Sequence, residues 1–451
     1  MLDRYTLPPM KELWVRKETK FEFWLRVELA YLLARLKLGQ LSEDTYDTIK
    51  GHAKINVNRI EELDREYRHD LIAFIVAVQE SLAQAGVSSE DQSELHKGLT
   101  SYDTEDPAMI LMMREAVQLN LDALRSLAVA LENKAGEHQW TLMIARTHGQ
   151  FAEPDTFGHL LFVFAMAVRR GICRLETAYT TDLAEGKMSG AVGNYAGMST
   201  ELELVALREL DLKPALAETQ ILQRDRLAAV LAAIAVTAGS IEQMARTFWE
   251  MMRSDVGELA EPRGKNQRGS SAMAHKANPI LTEQLMGLSR KIRGDAHAAM
   301  ENIATPEGRD ISQSSVERHI LPDTTSLLHY MTTKAAGLVN DLVVFPDRMR
   351  ENLDEKSLGV WASQRVRTSL MEAGVPYDAA YTYMQRLSFE AVKARMPLSD
   401  LLRLEEISDN EPRSALHILG RDALVKCFDA EAYIRPGIEA IFKRKWSLSS
   451  K

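Results

Sequence analysis

The fold is decided by the stretch PAMILMMREAVQLNLDALRSLAVALENKAGEHQ, residues 107–139, which contains two apolar stripes at helical spacing. The first stripe consists of Met113, Val117, Leu121, Leu124, Ala128 and Leu131, and the second of Met112, Ala116, Leu119, Ala123, Leu127 and Ala130. One stripe is typical of a surface helix, whereas two indicate a helix with neighbours on several sides. We therefore predict an inner helix of a bundle, with Asp106 as its N-cap and Pro107 in its first turn.

Four further stretches share this long apolar periodicity, at residues 157–183, 225–252, 280–303 and 323–344. Such helices exceed the usual length of about 10–14 residues and are too apolar to be exposed on one protomer, so we expect an oligomer that buries them in a shared bundle. The sequence predicts an all-α chain, helical throughout, in three domains. These are an N-terminal helical domain at 1–105, a central long-helix bundle at 106–354 and a C-terminal helical domain at 355–451.

The composition excludes several classes of protein. A formal net charge of −9 argues against a general nucleic-acid or membrane surface, although a local cluster of basic residues can still bind an anionic substrate. The longest uncharged stretch, Leu227 to Ile241, is shorter than the roughly 20 residues that span a bilayer. Two cysteines cannot form a disulfide framework, and the first residues lack the apolar core of a signal peptide. We expect a cytoplasmic protein.

Four segments interrupt the helical pattern with small, polar and basic residues, and each lies at an end of a predicted long helix. They span residues 98–106, 145–158, 263–280 and 307–323. In the third, Ser270 and Ser271 precede Lys276 and Asn278. A hydroxyl beside an ammonium and an amide can remove a proton and stabilise a developing oxyanion. A solvated loop with a serine cap fits the same residue types, so composition alone leaves both interpretations open.

The exact string in the third segment, GSSAMAHKANP at 269–279, resembles GSSxMPxKxNP, the signature of the fumarase/aspartase superfamily. Other stretches resemble the branch of that superfamily that acts on succinylated purine nucleotides. They are RYTLPPM at 4–10, YRHDLIAF at 67–74, RTHGQ at 146–150, TQILQRD at 219–225 and RDISQSSVERHILPD at 309–323. The resemblance therefore extends along most of the chain and implies the three-domain fold of this superfamily, shared in a homotetramer.

The resemblance implies a β-elimination that releases fumarate from adenylosuccinate, giving AMP, and from SAICAR, giving AICAR. Ser270 is expected to be the base, and His148 the acid that protonates the departing nitrogen. His69 is expected to assist from another loop. Lys276 and Asn278 are expected to hold the carboxylate on which negative charge develops.

The resemblance also implies a binding site for a small-molecule nucleotide, shared between protomers of the tetramer. The residues expected at the phosphate are Arg4, Tyr5, Arg309, Ser314 and Arg318. Those expected at the succinyl carboxylates or nearby polar atoms are Thr100, Ser101, Thr147 and Gln220. Arg68 and Asp70, which flank His69, are also expected to belong to the substrate site. The implied chemistry requires no metal and no cofactor, and neither nucleic acid nor membrane is an expected partner.

Two alternatives remain at the level of sequence. One is another lyase of the same superfamily that acts on a different succinylated amine and has no use for a phosphate site. The other is a non-enzymatic tetramer that retains the fold. Three departures from the family pattern leave open a changed loop rate or a shifted substrate preference, namely Ala274 in place of the signature proline, Pro107 in place of a threonine, and Phe151 in place of a polar residue. The altered signature loop is the one feature that favours the non-enzymatic alternative.

Overall fold

A computed structural model describes residues 1–264, 273, 275–408 and 411–444 of the chain. Helices dominate, as the all-α prediction requires. The α-helices, in chain order, are α1 (Pro8–Trp14), α2 (Lys17–Lys37), α3 (Glu43–His52), α4 (Val57–Tyr67), α5 (Asp70–Gln84), α6 (Ser89–Gln92), α7 (Ser101–Glu137), α8 (Phe157–Thr180), α9 (Thr200–Glu209), α10 (Asp225–Met251), α11 (Ile280–Glu301), α12 (Ser312–Asn340), α13 (Pro346–Glu351), α14 (Ser363–Glu372), α15 (Tyr377–Ala394), α16 (Leu398–Leu404), α17 (Ala415–Leu419), α18 (Arg421–Cys427) and α19 (Ala430–Phe442). Short 3₁₀ helices span Asp3–Tyr5 and Val360–Ala362, and a π-helical stretch spans Asn352–Lys356.

The expectation that the chain is helical throughout is wrong in detail, because short strands form four two-stranded ladders in the described part of the chain. The strands are β1 (Leu142–Thr147), β2 (Gln150–Thr156), β3 (Glu185–Gly186), β4 (Lys213–Pro214), β5 (Leu259–Ala260), β6 (Val343–Val344), β7 (Glu406–Ser408) and β8 (Glu411–Ser414). The pairs β1–β2, β5–β6 and β7–β8 are antiparallel, and β3–β4 is parallel. These ladders join the ends of helices and do not form a sheet core.

All five predicted long helices are present as α7, α8, α10, α11 and α12. The two-stripe interpretation of α7 is confirmed. Every residue of the first stripe is buried, and in the second stripe only Leu119 and Ala123 are partly exposed. A helix that is buried along both stripes has neighbours on several sides, as the periodicity indicated.

The predicted start of α7 is wrong. The helix begins at Ser101, with Thr100 as the preceding cap residue, because the Thr100 backbone N–H donates to the Asp103 carboxylate at 2.9 Å and Asp103 N–H donates back to Thr100 carbonyl oxygen. The Asp103 side chain thus satisfies the backbone N–H of the residue before the helix, which is one half of a capping box. Pro107 therefore lies inside the helix, and Asp106 is buried with tertiary partners instead of serving as a cap.

The predicted start of α12 at residue 323 is also wrong, because the helix begins at Ser312 and contains Pro322. The polar residues before the proline suggested a loop. Two of them, Gln313 and Glu317, are buried, and Glu317 accepts a hydrogen bond from Arg224 at 2.9 Å. Tertiary partners thus satisfy polar groups that in an isolated segment would favour solvent.

The chain divides into two compact units. Unit 1 comprises Met1–Ser126, Ala167–Gln243 and Gln284–Ala335, and unit 2 comprises Leu127–Met166, Met244–Glu283 and Ala336–Lys451. The boundaries fall within the long helices. The three-domain division at residues 105 and 354 stays a prediction.

Each unit has an apolar core of its own. In unit 1, the rings of Phe21, Trp24 and Phe74 contact one another between α2 and α5. In unit 2, α14, α15 and α16 pack around a core that includes Leu370 and Tyr383, both at most 1% exposed. Among the described residues, helix α10 is long and apolar enough to cross a membrane, judged by length and composition alone. Half of its most apolar 18-residue stretch is buried in the protein.

Candidate active site

The turn between α4 and α5 holds three consecutive candidate residues, Arg68, His69 and Asp70. Arg68 ends α4 in the left-handed conformation, with φ of 52°, and its side chain is exposed. His69 caps α5, because its Nδ1 accepts a hydrogen bond from the backbone N–H of Ile72 at 3.4 Å. In neutral His69 the ring proton is therefore on Nε2, which is the nitrogen left available to a ligand.

Asp70 joins two cations from distant parts of unit 1. Lys20 Nζ, on α2, donates to Asp70 Oδ2 at 2.7 Å, and Arg318 Nη2, on α12, donates to the same oxygen at 2.9 Å. We call Lys20, Asp70 and Arg318 the Asp70 cluster. Burial alone would raise the pKa of Asp70, but the two cations outweigh burial and lower the pKa to about 2. The cluster therefore contains an ionised carboxylate at neutral pH.

Glu105, in the second turn of α7, interacts electrostatically with the Asp70 cluster. Burial and the negative charge of Asp70 raise the pKa of Glu105 to about 7, against the opposing effect of Lys20. Among the described residues, Glu105 makes neither an ion pair nor a side-chain hydrogen bond. Its carboxyl group is consequently poised to titrate near neutral pH.

Residues from all three chain segments of unit 1 meet at Arg309. Its Nη1 donates to Gln220 Oε1 at 2.7 Å, and its guanidinium carbon lies 4.2 Å from the centroid of the Tyr102 ring. Ser314 is hydrogen-bonded to Tyr102, and its Oγ accepts from Arg318 Nε at 3.5 Å. The structure thus brings together four of the residues predicted from sequence, with Tyr102 as an additional member.

A buried ion-pair network supports this region. Arg224, only 4% exposed, pairs with Asp106 at 3.0 Å and with Glu317 at 2.9 Å. Burial raises the pKa of Glu317 to about 7, although Arg224 opposes the shift. Asp106 also accepts from the backbone N–H of Leu222 at 2.7 Å. The network fixes the loop that carries Gln220 against α7 and α12.

The start of α7, with Thr100 and Ser101, is held by buried charges. The carboxylate of Asp103 is fully buried and accepts from Lys187 Nζ at 2.6 Å and from the backbone N–H of Gly190 at 3.3 Å. Thr100 and Ser101 are themselves partly exposed. Their polar groups are therefore accessible on a rigid helix end.

His96, for which the sequence alone does not distinguish a catalytic from a structural role, is held by a buried carboxylate. Its Nδ1 lies 2.7 Å from Oε1 of the fully buried Glu28, which also accepts from the hydroxyl of Thr104 at 2.6 Å. Burial would lower the pKa of His96, but the hydrogen bond and charge of Glu28 outweigh it and raise the pKa. A raised pKa favours the imidazolium form next to the carboxylate of Glu28.

Arg4 and Tyr5 lie in the 3₁₀ helix at the beginning of the chain. The Tyr5 ring packs edge-on against Tyr330, with 5.3 Å between centroids. Arg4 is exposed, and its guanidinium carbon lies 6.0 Å from the Tyr5 ring centroid. No described contact joins either residue to the Asp70 cluster or to Arg309 within this chain.

In unit 2, His148 is at the tip of the β1–β2 hairpin. Thr147 pairs with Gln150, which leaves His148 and Gly149 as a two-residue turn with φ of 56° and 75°. Positive φ at both positions is the geometry of a type I′ turn. Thr147 and His148 are exposed. The hairpin therefore projects the imidazole from a backbone that two ordered strands hold in place.

The base of this hairpin is held by a buried carboxylate. Arg146 forms an ion pair with the fully buried Glu258 at 3.2 Å, and Glu258 also accepts from Asn352 Nδ2 at 2.8 Å. The Arg146 guanidinium carbon lies 5.3 Å from the centroid of the Phe151 ring. Phe151, one of the three departures from the family pattern, thus packs against a residue of the RTHGQ stretch.

The signature segment contributes to a cavity of about 680 Å³ in unit 2, lined by Lys276 and Asn278 and by residues of α10 and α11. Lys276 is exposed and Asn278 partly exposed. Ser270, the expected base, and Ala274 lie outside the described residues. The structure consequently describes the ammonium and amide of the predicted constellation but not its hydroxyl.

Sequence reasoning missed several of the groups that surround the predicted residues. Tyr102 and Glu105 lie in the segment at 98–106 and Arg224 in TQILQRD, so their positions in these stretches were an available signal. Lys20 gives no such signal, because it resembles any cation on an amphipathic helix.

Within the described part of the chain, no group of three or more His, Cys, Asp or Glu side chains is arranged to hold a metal ion.

Comparison with known proteins shows where the chain belongs. The family model described as Lyase matches residues 8–294. Adenylosuccinate lyase from Bacillus subtilis (strain 168) is 37% identical over 444 residues, which cover 98% of this chain and 99% of the relative. The chain belongs to the adenylosuccinate lyase family. The Synechocystis enzyme of the same name is 39% identical over 418 residues, covering 90% and 95% of the two chains. The Thermotoga maritima enzyme is 37% identical over 444 residues, covering 98% and 99%.

Solved structures of proteins with other names show the same fold. A fumarate lyase from Mesorhizobium sp. BNC1 matches with a TM-score of 0.87 at 24% identity, covering 99% of this chain and 100% of that one. A 3-carboxy-cis,cis-muconate lactonizing enzyme from Pseudomonas putida matches with a TM-score of 0.84 at 22% identity, covering 98% of both. At these identities the likeness shows the fold alone. It confirms the fumarase/aspartase fold class of this chain, and the comparisons together identify a lyase.

Proposed function

We propose that this member of the adenylosuccinate lyase family eliminates fumarate from adenylosuccinate, giving AMP, and from SAICAR, giving AICAR. The observation that carries the proposal is identity of 37–39% to three adenylosuccinate lyases over 90% or more of the chain. The GSSAMAHKANP and RTHGQ stretches supply the residue types that this β-elimination needs.

In the proposed reaction, Ser270 removes the proton on the succinyl carbon next to a carboxylate. Lys276 and Asn278 stabilise the charge that develops on that carboxylate. His148 protonates the departing nitrogen, assisted by His69. The exposed position of His148 at the tip of an ordered hairpin supports this role, because a general acid must reach its substrate from a fixed backbone.

The proposed phosphate site consists of Arg4, Tyr5, Arg309, Ser314 and Arg318. The proposed contacts to the succinyl carboxylates and nearby polar atoms are Thr100, Ser101, Thr147 and Gln220, and Arg68 and Asp70 flank His69 in the same substrate site. The support for this assignment is that Arg309 contacts Gln220 and that Ser314 contacts Arg318. Guanidinium groups with hydroxyl neighbours are well suited to bind phosphate oxygens. Asp70 is proposed to act by orienting Arg318, to which it is bonded directly.

We further propose that the chain is a cytoplasmic homotetramer whose active sites combine segments of three protomers. The supporting observation is that long helices expose apolar side chains. Val129 on α7, Val163 on α8, Val236 on α10 and Met300 on α11 are each at least 45% exposed. Burial of such residues between protomers is a favourable way to remove them from water.

Turnover of adenylosuccinate by the purified protein, with fumarate and AMP both quantified, tests the proposed function. We expect equimolar products, and in Ser270→Ala a loss of about 10²-fold or more in kcat, as for removal of a general base. Ser42→Ala, a change in a helix cap on α3, provides a matched serine control that should retain turnover. Absence of turnover by the folded wild-type protein would contradict the proposal and direct screening to other succinylated amines.

A further inference from the structure

Tyr102 is a buried aromatic residue at the start of α7 that lies among charged groups. Its side chain is buried, and the residue is only 4% exposed. The guanidinium carbon of Arg309 lies over its ring at 4.2 Å from the centroid, and that of Arg224 lies at 5.7 Å. A cation within about 6 Å of a ring centroid is attracted by the negative face of the ring. The ring of Tyr102 therefore attracts Arg309 without carrying a net charge.

The arginines of this region differ in how their charge is balanced. Arg224 and Arg318 each pair with carboxylates. Arg309 instead donates to the amide oxygen of Gln220 at 2.7 Å and lies over the Tyr102 ring. In the part of the chain that the structure describes, Arg309 forms no ion pair with a carboxylate. Its positive charge therefore remains available to an incoming anion, because neither an amide nor a phenol ring neutralises it.

The hydroxyl of Tyr102 contacts a second member of the proposed phosphate site. It is hydrogen-bonded to Ser314 on α12. Burial raises the pKa of Tyr102, so the phenol is neutral at neutral pH. One side chain thus contacts Arg309 through its ring and Ser314 through its hydroxyl.

The backbone of Tyr102 is held in place, whereas Arg309 lies outside regular secondary structure. Tyr102 is the second residue of α7, and the next carboxylate, Asp103, accepts from Lys187 Nζ at 2.6 Å. Arg309 lies between the end of α11 and the start of α12. A free arginine side chain has many rotamers, and ordering them during binding weakens affinity. Contact with a fixed ring restricts those rotamers before the ligand arrives.

We propose that Tyr102 is a positioning residue, whose ring orients the guanidinium of Arg309 for the phosphate of the nucleotide substrate without neutralising its charge. The inference rests on the proposed function, which places that phosphate at Arg309. A carboxylate in the position of the ring would also orient the arginine, but its negative charge would repel the phosphate. Tyr102 thus strengthens substrate binding and takes no part in the elimination itself.

AMP is the probe, because it carries the phosphate and its binding needs no turnover. Tyr102→Met removes the ring, and the flexible methionine side chain can fill the space. We expect calorimetric titration to show about tenfold weaker AMP binding in Tyr102→Met, as for loss of one partly desolvated cation–π contact. Tyr102→Phe keeps the ring and should bind AMP within about twofold of the wild type. Unchanged affinity in Tyr102→Met, or an equal loss in Tyr102→Phe, would overturn the proposal.

A double-mutant cycle separates the positioning of Arg309 from a general effect on packing. In the Arg309→Ala background the ring has no guanidinium to orient, so adding Tyr102→Met should change AMP affinity by less than about twofold. The same loss in both backgrounds would show that Tyr102 does not act through Arg309. Tyr46→Met is the matched control, because Tyr46 is also buried with a cation, Lys50, over its ring at 5.5 Å. Tyr46 lies on α3, which carries none of the proposed site residues, so this variant should bind AMP as the wild type does.

Arg309→Lys tests the same contact and leaves the buried ring intact. Lysine keeps the positive charge but has no planar group to lie over the ring, so AMP should bind several-fold more weakly. Wild-type affinity in Arg309→Lys would overturn the proposal. Because Arg309 is partly exposed, this result does not depend on whether Tyr102→Met folds.

Steady-state kinetics separate this inference from the proposed function. In Tyr102→Met, KM for adenylosuccinate should rise while kcat changes less, as expected for a residue that acts on binding. A wild-type protein that binds AMP but releases no fumarate from adenylosuccinate would contradict the proposed function alone. A wild-type protein that does not bind AMP would overturn the inference.

Discussion

At the level of single residues, Asp70 and Glu105 have nearly the same charged neighbours and opposite pKa shifts. Asp70 accepts hydrogen bonds from both Lys20 and Arg318, and its pKa falls to about 2. Glu105 has no such bond, so burial and the charge of Asp70 dominate, and its pKa rises to about 7. The carboxylate of Asp70 already neutralises part of the positive charge of the two cations, and its own negative charge makes ionisation of Glu105 unfavourable.

A consequence for stability follows from the raised pKa of Glu105. Because its folded pKa exceeds its unfolded pKa of about 4.3, its contribution to folding is fully present below the unfolded value and is lost as pH rises through about 7. Above pH 7 the ionised carboxyl then destabilises the fold by on the order of 3 to 4 kcal/mol. Glu105→Gln should therefore raise the Tm more at pH 8 than at pH 5. Equal changes in Tm at both pH values would contradict this account.

Arg318 offers a test of the phosphate site. Arg318→Ala removes a charge-assisted hydrogen bond worth about 1.5–3 kcal/mol, so KM for adenylosuccinate should rise by roughly 10- to 100-fold with a smaller change in kcat. Arg403→Ala, a comparably exposed arginine on α16, is the control and should leave KM unchanged. An unaltered KM in Arg318→Ala would show that the ligand does not use this guanidinium, as expected for a lyase without a phosphate site.

At the level of elements, two glycines in the loop between β3 and α9 illustrate two different requirements for glycine. One position requires only a left-handed backbone conformation, and the other also requires room for a closely packed chain segment. Gly193 and Gly197 both have left-handed φ, of 77° and 81°. A Cβ at Gly193 would overlap the carbonyl oxygens of Glu218 and Thr219, whereas a Cβ at Gly197 would meet no atom within 4 Å. The first glycine thus permits the approach of the chain segment that carries Gln220.

Alanine substitutions at these two positions should therefore differ. Gly197→Ala should destabilise the protein by about 1 kcal/mol, through backbone strain alone. Gly193→Ala should destabilise it further and also raise KM, because the segment that holds Gln220 must move. Thermal unfolding and steady-state kinetics of both variants provide the measurement. The same KM in the two variants would mean that this close approach does not position Gln220 for the substrate.

At the level of the whole molecule, the exposed apolar residues of the long helices predict how protomers associate. Val236 on α10 is 51% exposed, and Val425 on α18 is 56% exposed. Val236→Lys should dissociate the proposed tetramer, because a buried unpaired ammonium is strongly unfavourable. Val425→Lys should leave the assembly intact. Sedimentation of both variants checks this, and a tetrameric Val236→Lys protein would place the interface elsewhere.

Shared active sites predict complementation between inactive variants. If Ser270 and His148 in one site come from different protomers, mixed tetramers of Ser270→Ala and His148→Gln contain some sites with both native residues. Fumarate release should then recover partly after subunit exchange. No recovery, with mixed tetramers verified by differential labelling, would indicate that one protomer supplies both residues.

Much of the fold follows from local sequence. The 3.6-residue periodicity of α7, α8, α10 and α11 predicted their extents to within a few residues, apart from the start of α7, since apolar spacing along a helix depends only on near neighbours. The exact string GSSAMAHKANP and the RTHGQ stretch placed the chain in its superfamily, because motif identity is also local information. Hairpin residues such as Thr147 and Gln150 were correctly assigned to a break in the helices, although their strands were not predicted.

Only the tertiary structure decided which charges meet. Asp70 is 50 positions from Lys20 and 248 from Arg318, and no periodicity links residues at such separations. The raised pKa of Glu105 depends on that meeting. The start of α12 also depends on a distant residue. The buried Arg224 donates a hydrogen bond to Glu317 and so stabilises Glu317 within the helix, although the polar residues around it suggest a loop. The sequence by itself therefore determined the helices and the family. The tertiary structure determined the charge state of the site, because electrostatic interactions through space depend on how distant segments pack together.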